Sequence, residues 1–410
     1  MNIGSPRGVD GATLLSRRFV LVVSAGLLYF LALSMLLPVL PRYVENELGG
    51  GSIAVGITSG SLFVGAILLR PYAGRIGDRV GRRVLIIGGG AIVALTTALY
   101  GVVHALGWLI AVRSLTGLGE AAFFVGAATM ITDLAPPDRR GEAVSYWSVA
   151  VYGGLAFGPV IGELVMGDDR FMLTWLVAAT LAAGAALLGV WTRDVPRQHE
   201  PKVDGHLMHR AAIAPGTVLA LSLIGLAGFQ AFVPLYTDDL NGSPEGVFLL
   251  YGVLVLAVRI IGARLPDTLG PVRAGSFATG FSAAGLAVMA LWEGMPGLFA
   301  GTVLFSAGMS LLYPSLLLLA LQGVPDNERA SVVGTFSSFF DLSQAVGAFV
   351  CGAVVAATGD RGAFGTGAVL AVVALILLRS GIDPRTRQKT TAHPLGAGAV
   401  ATDPGCSAGA

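Results

Sequence analysis

With 410 residues, 54% of them hydrophobic and 12% charged, the chain has a mean hydropathy of +0.75 and a formal net charge of +1. A soluble domain carries about 25% charged residues, so a water-exposed globule is excluded, and the balanced charge gives no footprint for nucleic acid. The 2 cysteines, Cys351 and Cys406, define no disulfide framework, and no metal-ligand spacing or cofactor motif accompanies them.

In chain order, Met1 to Arg18 is polar, and no small-residue cleavage site follows the first apolar run, which therefore reads as a spanning helix. Apolar segments of about 20 residues, enough to cross a bilayer, follow at roughly 19–40, 53–73, 84–104, 107–131, 142–164, 171–192, 213–236, 246–266, 272–292, 297–320, 332–356 and 363–380. The chain thus divides into a cytoplasmic N-terminus (1–18), a six-helix bundle (19–192), a central cytoplasmic loop (193–212), a second six-helix bundle (213–380) and a disordered tail (381–410) rich in Gly, Ala, Thr and Pro. The predicted class is an all-α integral membrane protein of twelve spans. Segments 84–104, 171–192, 272–292 and 363–380, every third one, carry no ionisable residue in their interiors, as lipid-facing helices require.

The basic residues orient the chain. Loops on one side hold 20 of the 26 Lys+Arg, among them Arg75, Arg79, Arg82, Arg83, Arg139 and Arg140. The opposite loops hold Arg42, Arg170 and Arg361, while Arg70, Arg113 and Arg259 lie within segments. The positive-inside rule then places both termini in the cytoplasm.

The two halves echo each other. Arg70, Asp78 and Gly81 recur as Arg259, Asp267 and Gly270, each pair 189 residues apart and each set at the end of a long apolar segment. A membrane unit built twice is the signature of a secondary transporter.

Three patterns at the matching segments name a family. Gly74-Arg-Ile-Gly-Asp78-Arg79-Val-Gly81-Arg82-Arg83 resembles the signature loop between the second and third helices of the major facilitator superfamily. Arg113-Ser-Leu-Thr-Gly117-Leu-Gly119-Glu120 resembles that family's fourth-helix motif, with Thr116 where Gln is common. Gly154-Leu-Ala-Phe-Gly158-Pro159-Val-Ile-Gly162 is similar to the fifth-helix motif that marks the family's proton-driven exporters, with Glu163 in place of its second terminal Gly. The resemblance implies two pseudo-symmetric six-helix bundles rocking about a midplane site. It also implies that Asp78 meets the start of the eleventh helix, near Ala330, as a latch, with Arg79, Arg82 or Arg83 able to pair with Asp133.

Within the spans, Arg113, Glu120 and Asp341 sit where a charge costs about 3 kcal/mol on insertion scales, so they are candidates for proton coupling, Arg113 modulating Glu120. Gly154 and Gly158 share a face expected to seat a helix of the other half, and Pro159 bends the fifth helix. In the family the first, fourth, seventh and tenth helices line the cavity, which makes Tyr29, Met35, Phe123, Phe124, Gln230, Phe232 and Tyr313 the candidate wall. As a set they point to an apolar to amphipathic, aromatic or cationic substrate.

The expected function is proton-coupled efflux of a small amphipathic drug or metabolite across the cell inner membrane. It would be carried out by a functional monomer with protons, a small-molecule substrate and the lipid bilayer as its partners, and without cofactor or nucleic acid. No P-loop is present, so ATP is not the energy source. The alternatives are proton-coupled uptake of a nutrient or, from another class, a membrane receptor or enzyme. No nucleophile–base pair, metal cluster or large soluble domain speaks for the last.

Overall fold

The computed structural model describes residues 14–136, 139–167, 169–194, 209–262, 265–325 and 328–381. The tail beyond 381, most of the 1–18 and 193–212 segments, and the side chains of Asp267 and Ala330 lie outside the described residues.

Among the described residues the chain is helical and without strands. Twelve long helices follow the apolar segments: α1 Arg17–Ser34, α2 Ser52–Val80, α3 Arg82–Leu99, α4 Leu106–Leu134, α5 Arg140–Met166, α6 Phe171–Val190, α7 Arg210–Asp239, α8 Glu245–Ile261, α9 Pro271–Leu291, α10 Met295–Leu321, α11 Arg329–Thr358 and α12 Arg361–Gly381. Eleven are long and apolar enough to cross a membrane, counting α1 together with the residues that extend it to Glu47. The twelfth, α8, has 17 residues and ends at Gly262 before a short helix at Leu265–Leu269. α1 breaks after Ser34, and Pro38 and Pro41, which lack a backbone donor, restart it as a short Val39–Arg42 helix and a wider Tyr43–Glu47 turn.

The two halves pack alike. In the first, α2 lies on α4, α3 on α4 and α6, and α1 on α5 and α6. In the second, α8 lies on α10, α9 on α10 and α12, and α7 on α11 and α12. The halves join through two equivalent seams, α2 against α11 and α5 against α8. The repeated glycines share a backbone state: Gly81 has φ of 104° and Gly270 of 80°, a left-handed conformation that only glycine adopts without strain, immediately before α3 and α9.

The end of the bundle carrying Arg75, Arg79, Arg82, Arg83 and Arg329 is called here the basic end. The seams are tight at the opposite end. A Cβ on Gly60 of α2 would come 2.7 Å from the Ala345 carbonyl of α11, and one on Gly252 of α8 would overlap Ala156 of α5. Toward the basic end a Cβ on Gly74 or Gly334 would meet nothing within 4 Å, so the seam is not closed by such contacts at these two positions.

The fifth-helix glycines correct one expectation. Gly154, Gly158 and Gly162 seat α1 of their own half, against Phe30, Ser34 and Met35. The physical reason is helical phase: Tyr152 and Ala156, which do face the other half, lie about 200° around the helix from Gly154 and Gly158.

Candidate functional site

At mid-depth the halves share a buried ion cluster. Arg70 of α2 donates from Nη2 to Glu120 Oε2 of α4 at 2.9 Å, and its Nε stands 2.6 Å from Asp341 Oδ2 of α11. The second contact lies off the hydrogen-bonding direction, so both Asp341 oxygens lack a hydrogen-bond donor and the attraction is coulombic. Asp341 is 1% exposed and Glu120 8%. Glu120 lies roughly 21 Å along α4, and Asp341 roughly 18 Å along α11. The Arg70 guanidinium also sits 5.1 Å above the Phe124 ring. One cation faces two carboxylates, which leaves the cluster one proton short of neutral.

The flanks of the cluster are polar. Tyr313 and Ser337 share a 3.1 Å hydrogen bond, and Gln344 Nε2 donates to Gln230 Oε1 at 3.1 Å. Tyr313, Phe124 and Gln230 are half-buried. Tyr29, Met35, Phe123 and Phe232 are fully buried instead, correcting their placement on a cavity wall. Tyr29 stacks on Phe123, ring centroids 3.8 Å apart, so two bundle helices use each other's rings as packing surface.

Arg113 does not partner Glu120. It is 4% exposed, and its Nε and Nη1 have no hydrogen-bond partner among the described residues. Helical side chains lean toward the N-terminus, which carries Arg113 away from Glu120, two turns further along α4. Arg70 takes that carboxylate. Sequence reasoning treated Arg70 as one half of a repeat and never as a site residue, although the repeat itself was the signal.

In the signature loop, Arg82 pairs with Asp78 at 2.7 Å and more loosely with Asp133 at 3.4 Å, tying α2, α3 and α4 together at the basic end. Gly74 and Gly81 flank this cluster, and Arg79 is exposed beside it. Arg83 holds the same loop to α6 through the Val190 carbonyl, at 2.6 Å.

The opposite end closes on a residue that sequence reasoning assigned to a loop. Arg42, 8% exposed, donates to Glu163 of α5 at 2.8 and 2.7 Å and, across the two halves, from Nε to Asp238 of α7 at 2.6 Å. Its Nη2 also contacts Asp238. Glu163, the departure from the fifth-helix motif, is thus explained as an ion-pair partner. The available signal was a single arginine beside a collection of acids: Glu45, Glu47, Glu163, Asp238 and Asp239.

Asp360, in the turn between α11 and α12, belongs to this acidic end. Burial, followed by the charges of Asp239 and Glu45, raises its carboxyl to about 6. The folded state therefore favours protonated Asp360. That contribution to stability is fully present below the unfolded value of about 4 and is lost as pH rises through about 6. Asp360→Asn is accordingly expected to raise the thermal unfolding midpoint of the purified protein at pH 8, and to raise it only about half as much at pH 5, inside the titration window. An equal change at both pH values would contradict the assignment.

A two-fold repeat of membrane-spanning helices meeting at a buried midplane ion cluster defines a secondary transporter. Comparison with known proteins gives the family. The model of the Major Facilitator Superfamily matches residues 22–348, with a further match over 247–404, and the chain belongs to that family. It is 29% identical over 333 residues to an uncharacterised MFS-type transporter of Salmonella typhimurium, covering 78% of this chain and 85% of the relative. It is 26% identical over 385 residues to one of Burkholderia mallei, covering 92% and 94%. A crystal structure of a bacterial homologue of the human lysosomal transporter Spinster, inward-facing and unoccupied, superposes with a TM-score of 0.76 at 16% identity, over 94% of this chain and 100% of that one. The protein is a multi-pass membrane transporter and not an enzyme.

Proposed function

We propose that the chain is a proton-coupled exporter of a small amphipathic drug or metabolite, working by alternating access. The observation that carries this reading is the cluster of Arg70, Glu120 and Asp341: three charges from both halves, at mid-depth, one proton short of neutral. A group that binds one proton and sits on the seam between two rocking bodies can link protonation to their relative position. Cargo entering from the basic end favours the ionised cluster and release of the proton, and reprotonation from the opposite end favours release of cargo.

The arginine count supports a cytoplasmic basic end and cytoplasmic termini. Contact-free glycines at the basic end and the Arg42 pairs at the other support a conformation that receives cargo from the cytoplasm. Gly74, Asp78, Arg79, Gly81, Arg82 and Asp133 act as the latch that closes the basic end when the halves rock, Asp78 meeting the start of α11. The motif of Gly154, Gly158, Pro159 and Gly162 supports export over uptake, and holds α5 rigidly on α1 so that the Arg42 pairs at the opposite end move as one unit.

The test uses membrane vesicles with the basic end outward and a compound to which overexpression confers resistance. An imposed pH difference is expected to drive uphill accumulation by the wild type. Glu120→Gln and Asp341→Asn fix the neutral form, and at least one is expected to bind and exchange the compound while losing uphill accumulation. Uphill accumulation by both variants and by the double variant would place coupling elsewhere.

A further inference from the structure

We infer that Arg259, with the rings of Tyr152 and Tyr251, forms an anion subsite, so that the cargo is an amphipathic organic anion with a carboxylate or similar acid beside an aromatic or apolar body. This names the cargo of the export reading above and rests on it. Arg70 and Arg259 occupy equivalent places in the two repeats, and each crosses its seam to the opposite half. Their partners differ. Arg70 is met by two carboxylates. The Arg259 guanidinium lies 4.0 Å from the centre of the Tyr152 ring on α5, and makes no ion pair among the described residues.

Arg259 lies in the last turn of the 17-residue α8, and the ring face beside it contributes only about 1–2 kcal/mol. Its remaining donors are met by no carboxylate among the described residues, which leaves them available to an anionic ligand. Arg259 is half-buried, and its side chain, leaning toward the helix N-terminus, points from the inner part of α8 toward mid-depth. The fork of N–H donors not facing the ring matches a planar carboxylate in two parallel bonds. Tyr152 and Tyr251 bring hydroxyls that make no hydrogen bond among the described residues, and Tyr251 continues into an apolar wall through its contacts with Phe229 and Phe305. Tyr313 lies within electrostatic reach of both arginines, so the subsite adjoins the ion cluster. The Phe124 face, the alternative seat for a cationic cargo, is already covered by Arg70.

Two probes of one shape separate charge from fit: naphthaleneacetate and its neutral amide, naphthaleneacetamide, titrated calorimetrically into the full-length protein in nanodiscs at equilibrium. The wild type is expected to bind the carboxylate about tenfold or more tightly than the amide, as a charge-assisted pair contributes. Arg259→Gln is expected to bring the two within about twofold, and Arg259→Lys to keep part of the preference, since charge survives and the fork does not. Equal binding of both probes by the wild type would overturn the proposal without recourse to any variant, as would no saturation by the carboxylate up to about 10 mM. A loss of both probes alike in Arg259→Gln would assign the residue to structure rather than to recognition. No gradient enters this measurement, so failed uphill transport would fell the antiport reading and leave this result standing, and the reverse also holds.

Discussion

Replacing Arg70 by glutamine is expected to be the most damaging single change in the protein. It leaves Glu120 of α4 and Asp341 of α11, both buried, with no cation between them. Removing one partner of a buried ion pair costs about 3–5 kcal/mol, a large share of the stability of a typical fold. The expected result is a poor yield of folded protein and a thermal midpoint well below the wild type. The loss should be reversible by charge alone. In the triple variant Arg70→Gln, Glu120→Gln, Asp341→Asn no uncompensated charge remains, and the midpoint is expected to return most of the way while pH-driven transport stays absent. A stable single variant, or a triple variant no better than the single, would show that the cluster is not held by its charge balance.

The second large effect is expected at the opposite end. Arg42→Gln removes the cation that, among the described residues, ties α5 to α7, and leaves Glu163 and Asp238 beside Glu45 and Asp239. The Asp238 side chain is 41% exposed, so solvent screening reduces the penalty, and about 2 kcal/mol is a reasonable scale. That is a shift of about thirtyfold in the ratio of closed to open at this end. Spin labels on cysteines replacing Glu47 and Ser243, both exposed there, are expected to report a longer distance in Arg42→Gln than in the wild type. The same mean distance in both would mean that the glycine seams, and not Arg42, keep this end shut.

The fold was legible because lipid imposes one strong rule: every spanning backbone must satisfy itself, so helices announce themselves as apolar runs of sufficient length. The repeat of Arg70, Asp78 and Gly81 announced the doubling. The break in α1 was less visible, and with it the position of Arg42. A short helix and a wide turn carry that residue inward from what hydropathy alone reads as the start of a loop. The buried acids stood out by their cost, but their partner did not. Glu120 was read against Arg113 on its own helix because spacing along a helix is visible in a sequence, whereas the approach of α2 to α4 is not. The aromatic residues failed for a related reason: Tyr29 and Phe123 are as apolar on a helix face whether they meet a cavity or each other. The glycines of α5 signalled close packing without signalling against which helix.

The central claim, that Glu120 and Asp341 set the position of the two halves by taking up a proton, is tested most directly by distance measurement without any cargo. Labels on cysteines replacing Tyr72 of α2 and Ser338 of α11, both exposed toward the basic end, span the seam that Arg70 bridges. Cys351 and Cys406 are replaced beforehand, and Asp360→Asn removes the titration at the other end. The distance distribution is then compared at pH 5 and pH 8 by pulsed electron resonance. With Glu120 and Asp341 intact, the distribution is expected to shift between the two pH values. With Glu120→Gln and Asp341→Asn together, it is expected to be the same at both. A double variant that keeps the full shift would contradict the account and move the proton to another group.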